Sequence, residues 1–153
     1  MNYLDLHTII QNIVGSRLTS VGRAFEMLMF DFEKYALHTQ GLTRIVKNND
    51  ILVTTLDYQC WDGKVGENND EWYNLNKFKQ MIEGGTVVSI NINPLCDLTI
   101  ELDNGITIQV FNQNGYAHYD EESEQYRFFE ITDDDNEQAN QPHYVVYSKH
   151  IEF

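Results

Sequence analysis

Histidines are the residues of this chain best suited to acid–base or metal chemistry, and their spacing decides whether they can act together. No pair has the i, i+4 spacing of a helical zinc motif. His143 and His150 would face opposite sides of a single strand, because an odd number of positions separates them. We therefore expect surface or hydrogen-bonded histidines, with no metal site and no catalytic pair. The five histidines are His7, His38, His118, His143 and His150.

A run of acids near the end of the chain superficially resembles the opening of a calcium-binding loop. An EF-hand that starts at Asp133 would need glycine at its sixth position and glutamate at its twelfth. The chain has Gln138 and Tyr144 at those places. The sequence therefore predicts no EF-hand and no cofactor, and it leaves open a weak incidental cation site or a solvated acidic loop.

Signatures of nucleophilic catalysis are equally scarce. The sequence contains no Gly-x-Ser-x-Gly motif and no glycine-rich phosphate loop, and the residues around Cys60 match no cysteine-enzyme pattern. Cys60 and Cys96 are the only cysteines, and we expect both to be reduced. The sequence predicts a protein that is not an enzyme, although distant residues could still converge in space.

The most distinctive stretch runs from Asp120 to Glu137, with nine acids against one base, Arg127. Aromatic residues are interleaved with these acids. Aromatic side chains anchor protein interfaces, and carboxylates accelerate encounter with a basic partner. We predict that the contacts with such a partner are made by Tyr119, Glu121, Glu122, Glu124 and Asp134.

A second interpretation of the same stretch needs no partner. Two polar turns could flank a strand whose aromatic residues face the core. Alternation along that strand would bury either Tyr126 and Phe128 or Phe129 and Ile131.

Net charge restricts the classes of partner further. The chain carries a formal charge of -14, and residues 76–153 hold fourteen acids and four bases against ten and six in residues 1–75. Such a field repels phosphate backbones and anionic lipids, so we expect neither nucleic-acid nor membrane binding. No apolar run approaches the roughly 20 residues that span a bilayer. The first ten residues lack the basic start of a signal peptide, so a cytoplasmic location is the default expectation.

Two helices are predicted from apolar residues at helical spacing. The first runs from about Tyr3 to Val14 and ends at Gly15. The second runs from about Glu71 to Glu83, with Asp70 as its N-cap.

The clearest strand signal is a hairpin in the second half of the chain. Apolar residues alternate with polar ones from Leu98 to Leu102 and again from Ile106 to Val110, on either side of Asn104-Gly105. This pattern is typical of a tight antiparallel turn. Further strands are predicted at residues 18–21, 28–32, 35–39, 42–46, 51–58, 86–92, 126–131 and 144–151.

The two halves of the chain share one pattern at a distance of about 70 residues. Gly15, Leu18, Phe25, Leu28, Phe30 and Phe32 recur as Gly85, Val88, Leu95, Leu98, Ile100 and Leu102. We interpret this as a supersecondary unit built twice, over residues 1–69 and 70–153. The expected fold is a single α+β domain of two tandem helix-plus-antiparallel-meander units. They would form one curved sheet or two packed sheets with two helices, related by a pseudo-twofold axis.

One segment resembles a known class of protein. The hairpin from Asn93 to Phe111 is similar to a hairpin of small uncharacterised bacterial domains, with a DL-x-I-x-F-x-NG-x-x-L-x-V-F pattern before an acidic, aromatic strand. Some proteins of this general kind accompany toxin systems as immunity proteins. The resemblance implies an immunity-like binding role and identifies no catalytic residue.

Three hypotheses of function follow. The first is an acidic protein-binding module of immunity or inhibitor type that covers a basic partner. The second is a homodimeric structural or regulatory domain, which an exposed apolar edge at Tyr144–Phe153 would favour. The third is an enzyme or small-ligand binder with a cavity between the repeated halves.

Overall fold

A computed structural model describes residues 3–60, 70–113, 122–132, 143–148 and 150–153. Over these residues the protein is α+β, with two α-helices and two antiparallel sheets, one of six strands and one of five. The expected fold class is therefore confirmed at this level, and of the two sheet arrangements that we expected, the structure has two sheets.

The helices lie close to where the apolar spacing places them. Helix α1 spans Tyr3–Ile10 and continues as a 3₁₀ turn at Gln11–Ile13, and α2 spans Asp70–Ile82. A residue with positive φ follows each helix, Gly15 at +88° and Gly84 at +95°. The chain therefore leaves each helix through a backbone conformation that favours glycine. Within the described part of the chain, no helix is both long and apolar enough to cross a membrane.

The six-stranded sheet contains strands from both ends of the chain. Its order is β1-β2-β3-β9-β10-β11, and every neighbouring pair is antiparallel. Three of its strands come from residues before 61 and three from residues after 121. Their bounds are β1 Ser20–Ala24, β2 Met27–Phe32, β3 Tyr35–Thr39, β9 Glu124–Glu130, β10 His143–Tyr147 and β11 Ile151–Glu152.

The five-stranded sheet also contains strands from both halves of the chain. Its order is β5-β4-β8-β7-β6, again antiparallel throughout. The Asn104-Gly105 hairpin is confirmed, since Leu98 lies opposite Val110 and Gly105 has a φ of +85°. The bounds are β4 Leu42–Lys47, β5 Asp50–Thr54, β6 Val87–Ile92, β7 Leu98–Leu102 and β8 Ile106–Phe111.

The two sheets are joined where the chain passes from β3 to β4 through Gln40 and Gly41. Both of these backbone amides donate to the carbonyl of Gln125, each at 2.8 Å. The Gln125 side chain is buried and accepts from the amide of Gln113 at 2.8 Å, just after β8. Strand β3 then pairs with β9, while β4 pairs with β8. Gln125 therefore contacts both the β3–β4 connection and the segment that follows β8.

A second junction lies between the segments that follow the two helices. The amide of Gly15 donates to the Val87 carbonyl at 2.9 Å, and the amide of Gly84 donates to the Leu18 carbonyl at 2.8 Å. Arg17 and Thr86 form an isolated bridge between these bonds. The pattern is reciprocal, because each of the two segments donates an amide to a carbonyl of the other.

Each helix also covers the edge of a sheet. Lys79 Nζ donates to the carbonyl of Val21 on edge strand β1 at 2.7 Å, while the amide of Val21 donates to Glu83 Oε1 at 3.0 Å. On β6, an edge strand of the five-stranded sheet, the Ile92 carbonyl accepts from the hydroxyl of Tyr3, at the start of α1, at 2.8 Å. Polar side chains of the helices thus satisfy backbone groups that would otherwise invite pairing with another strand.

The buried apolar residues of both sheets and both helices belong to one cluster. Alternation in β2, β7 and β8 places the core side as predicted, with Phe30 and Ile100 both fully buried. Val88, by contrast, is exposed, and the buried residue is its neighbour Val87. Leu18 is fully buried, so the environments of Leu18 and Val88, which the predicted repeat makes equivalent, differ.

Two predicted strands end earlier than expected. Strand β5 stops at Thr54, and a 3₁₀ turn occupies Thr55–Cys60, because Asp57 Oδ2 accepts from the Thr54 amide at 3.1 Å and favours a local turn. The predicted strand at 144–151 is instead two strands, since the amide of Tyr147 turns back to donate to the His150 carbonyl at 2.8 Å.

Replacing Gly41 by alanine tests the link between the sheets. A Cβ atom at Gly41 would lie 2.8 Å from the Phe111 carbonyl oxygen and 3.0 Å from Gln125 Oε1. We expect Gly41→Ala to lower the free energy of unfolding in urea by about 1–3 kcal/mol, as overpacking does. Gly22→Ala is the matched control, because its Cβ would meet only the Met29 methyl at an ordinary 3.5 Å. Equal stability of the two variants would contradict this role of Gly41.

Candidate functional site

Strand β9 settles which aromatic residues of the acidic stretch face the core. Tyr126 and Phe128 are fully buried, and the Phe128 ring stacks on Tyr35 with centroids 5.1 Å apart. Phe129 lies on the other face and is half-buried, while Ile131 is exposed. The first of the two alternations is therefore the one that the structure contains. These core aromatics are not free to anchor a partner.

The Tyr126 hydroxyl and the Cys96 thiol lie together at one end of this strand. Tyr126 donates to the Cys96 carbonyl at 2.9 Å. Burial raises the pKa of the Tyr126 hydroxyl well above its usual range and also raises the pKa of Cys96. Cys96 is a free, buried cysteine, as expected. Both groups are therefore held in their neutral forms, which makes the thiol a poor nucleophile.

Glu124, at the start of β9, is held by two partners within the chain. It accepts from Gln40 Nε2 at 2.5 Å and pairs with Arg127 three residues along. Its side chain is only 13% exposed. Strand pairing places Gln40 here, because β3 runs beside β9. A partner can therefore reach this carboxylate only at the margin of the pair.

Glu122 and Glu152 both contact the ring of His150. Glu122 pairs with Nδ1 of His150, and Nε2 of the same ring lies 3.2 Å from Glu152 Oε1. The ring stacks on Tyr147 at a centroid distance of 4.8 Å and an angle of 10°. The amide of Ser148 donates to the Ser123 carbonyl at 3.1 Å, which holds the end of β10 beside the residues that precede β9.

We use the name β9 acidic surface for Glu122, Glu124 and Glu152. Of the five predicted contact residues, the structure brings Glu122 and Glu124 together, and Tyr119, Glu121 and Asp134 lie outside the described residues. The sequence analysis missed Glu152 and His150. Their alternation in the last strand was the available signal, but only the pairing of β10 with both β9 and β11 places them here.

The outward face of the six-stranded sheet carries a second group of titratable residues. The Phe129 ring lies between His38 and His143, with centroid distances of 5.0 and 5.3 Å. His38 is opposite Arg127 in the sheet. Desolvation by burial is the largest cause that lowers the pKa of His38 and of His143, and the Arg127 charge lowers both further.

The described residues contain no group of three or more histidine, cysteine or acidic side chains arranged to hold a metal ion. The homodimer hypothesis rested on an unpaired terminal strand at Tyr144–Phe153. In the structure β10 has a neighbour on both sides, and Tyr144 and Val146 are buried. Of that segment, only the two residues of β11 form the edge of the sheet.

Comparison with protein-family models, with curated proteins and with solved structures finds no match to this chain. The resemblance to immunity-type domains therefore remains a hypothesis that depends on the residues of the β7–β8 hairpin.

The two histidines beside Phe129 should titrate below their ordinary pKa of 6.5. Each ring therefore binds fewer protons in the folded protein than in the unfolded chain near pH 6.5. Stability from this source is therefore complete above that pH and is lost as the pH falls towards the lowered values. An NMR titration of the ring protons measures this directly. A pKa for His38 at or above 6.5 would contradict the burial of that ring.

Proposed function

We propose that this chain is an acidic, cytoplasmic protein-binding module of immunity or inhibitor type, which covers a basic partner with the β9 acidic surface. The observation that carries the proposal is that Glu122 and Glu152 converge on His150, while Glu124 lies opposite Tyr147, whose ring stacks on that histidine. The chain's net charge of -14 adds a long-range field of the same sign. Such a field increases the rate of encounter with a cationic protein.

Basic side chains of the chain itself already occupy part of this surface, and they determine the expected mode of binding. Arg127 pairs with Glu124, and His150 lies between Glu122 and Glu152. A lysine or arginine of the partner would therefore replace His150 or share its carboxylates. Glu152 is the most accessible of the three, with 59% of its side chain exposed. We expect it to make the first contact.

The predicted contacts outside the described residues belong to the same proposal. Glu121 immediately precedes Glu122 in the sequence, Tyr119 stands three positions before Glu122, and Asp134 follows β9. We propose that these three residues extend the same binding surface.

We also infer that the scaffold arose by tandem duplication over residues 1–69 and 70–153. Strand order supports this. In one sheet β1-β2-β3 are followed by β9-β10, and in the other β6-β7-β8 are followed by β4-β5. Each half of the chain therefore supplies its first three strands to one sheet and its next two to the other. Register supports it too. Phe30 lies between Val21 and Leu37, as Ile100 lies between Ile90 and Ile108, and all six residues are buried.

The reciprocal bonds after the helices favour the same inference. They relate Gly15 to Gly84 and Leu18 to Val87. On this interpretation the duplicated glycine is Gly84, which shares the positive φ of Gly15. Duplication would give a rigid two-sheet body whose second half was free to acquire negative charge.

Binding to the product of an adjacent gene tests the proposed function. We expect the double variant Glu122→Gln/Glu152→Gln to weaken binding by about 3- to 10-fold at low salt, the range for exposed charge pairs. Raising the salt concentration should weaken wild-type binding, because Glu152 is exposed and salt screens its charge.

The matched control is Glu26→Gln/Asp50→Asn, which removes the same charge from exposed positions outside the β9 acidic surface. It should leave the affinity nearly unchanged. Equal losses in the two double variants, or binding that does not respond to salt, would contradict a specific electrostatic interface.

A further inference from the structure

His150 makes contacts that only one of its protonation states can satisfy. Carboxylate oxygens face both of its ring nitrogens, from Glu122 at Nδ1 and from Glu152 at Nε2. Ionised carboxylates accept hydrogen bonds and cannot donate them, and a neutral imidazole has a single N–H. The imidazolium alone can donate to both. The geometry is therefore that of a protonated histidine between two acids.

The two carboxylates belong to different parts of the six-stranded sheet. Glu122 precedes β9, and Glu152 lies in β11 at the sheet's edge, two strands away. Two backbone bonds run alongside the ring, from the Tyr147 amide to the His150 carbonyl at 2.8 Å and from the Ser148 amide to the Ser123 carbonyl at 3.1 Å. The ring thus bridges the segment before β9 and strand β11.

We propose that His150 is a proton-operated clasp, which in its imidazolium form ties the segment before β9 to strand β11 and occupies two carboxylates of the β9 acidic surface. Loss of one proton from the ring breaks one of the two N–H···O bonds. It also leaves both carboxylates charged without their internal cation. The second consequence regulates the proposed binding surface and rests on the proposed function, whereas the first does not.

The groups that face the ring determine the sign of the effect. They are Glu122 and Glu152, with the Tyr147 ring stacked on one side. The hydrogen bond to Glu152 is the largest influence and raises the pKa of His150 above 6.5, with Glu122 adding to it against desolvation. A raised pKa means that the clasp is complete below about 6.5 and opens as the pH rises through the raised value. Glu124 and Arg127 act on the neighbouring Tyr147 and not on the ring itself.

Opening should therefore have two results. Strand β11 should loosen, because at the edge of the sheet it has only two residues of ladder, beside the packing of Ile151 on the core and of Phe153 on Tyr144. The surface should also become more attractive to cations, because two carboxylates lose their partner. Both changes would follow the loss of the proton from His150 as the pH rises above 6.5.

Hydrogen exchange of the Tyr147 and Ser148 amides, expressed as protection factors at several pH values, tests the clasp in the full chain. We expect protection in the wild type to fall by about 3- to 10-fold as the pH passes the His150 pKa, the range for the net loss of one hydrogen bond. The Leu18 amide, which donates to the Gly85 carbonyl at 2.8 Å, is the internal reference. His150→Gln should show low, pH-independent protection, and His7→Gln, at an exposed histidine in α1, should behave as the wild type.

A second readout keeps the test decisive if a variant disturbs the strand. The NMR pKa of His150 should fall in Glu122→Gln/Glu152→Gln relative to the wild type. An unchanged pKa, or protection factors with the same pH dependence in wild type and His150→Gln, would overturn the clasp.

Binding of an oligolysine peptide separates the clasp from the proposed function. If the clasp regulates the surface, affinity should rise with pH through the His150 pKa in the wild type and stay flat in His150→Gln. A pH-dependent protection factor together with flat oligolysine binding would support the clasp and count against the proposed basic partner. Absence of both would overturn the whole inference.

Discussion

The structure depends on the place where the chain crosses between its two sheets. Gln40 and Gly41 connect β3 with β4, and their amides converge on the carbonyl of Gln125. A buried crossing is costly unless every polar group has a partner. Threonines meet that need here, since the Thr43 amide donates to Thr55 Oγ1 and the Thr43 hydroxyl donates to the Gly41 carbonyl. Only glycine fits at Gly41, because the Phe111 carbonyl oxygen occupies the space of a Cβ atom.

This crossing has consequences for the edges of both sheets. Because β9 pairs with β3 and β4 pairs with β8, neither half of the chain forms a sheet alone. Helix α2 then covers the β1 edge through Lys79 and Glu83, and α1 lies against the β6 edge. Edge-to-edge pairing with another molecule is blocked at these two strands. The side chains around β9 and β11 remain as the charged, accessible region on which the proposed function rests.

The sequence predicted the local elements well, because each depends on a few neighbouring residues. Asn104-Gly105 specifies its hairpin, and the alternation through Phe30 and through Ile100 identifies the buried faces. It could not predict which strands pair across the two halves, since apolar alternation is the same for any partner. It also aligned Gly15 with Gly85, where backbone conformation relates Gly15 to Gly84. The acidic surface was partly predicted, through Glu122 and Glu124. Glu152 and His150 lie at this surface only because β10 pairs with β11 at the end of the chain. No local spacing in the sequence encodes that pairing.

Backbone NOEs across the strands of the two sheets test this account most directly. Because each sheet contains strands from both halves of the chain, we expect cross-strand contacts between Leu37 and Phe128 and between Ile45 and Ile108. Contacts between Leu37 and Ile45 in place of these, as in a simple hairpin of β3 with β4, would show that each half folds on its own strands. That result would contradict both the crossing at Gly41 and the surface that is built on it.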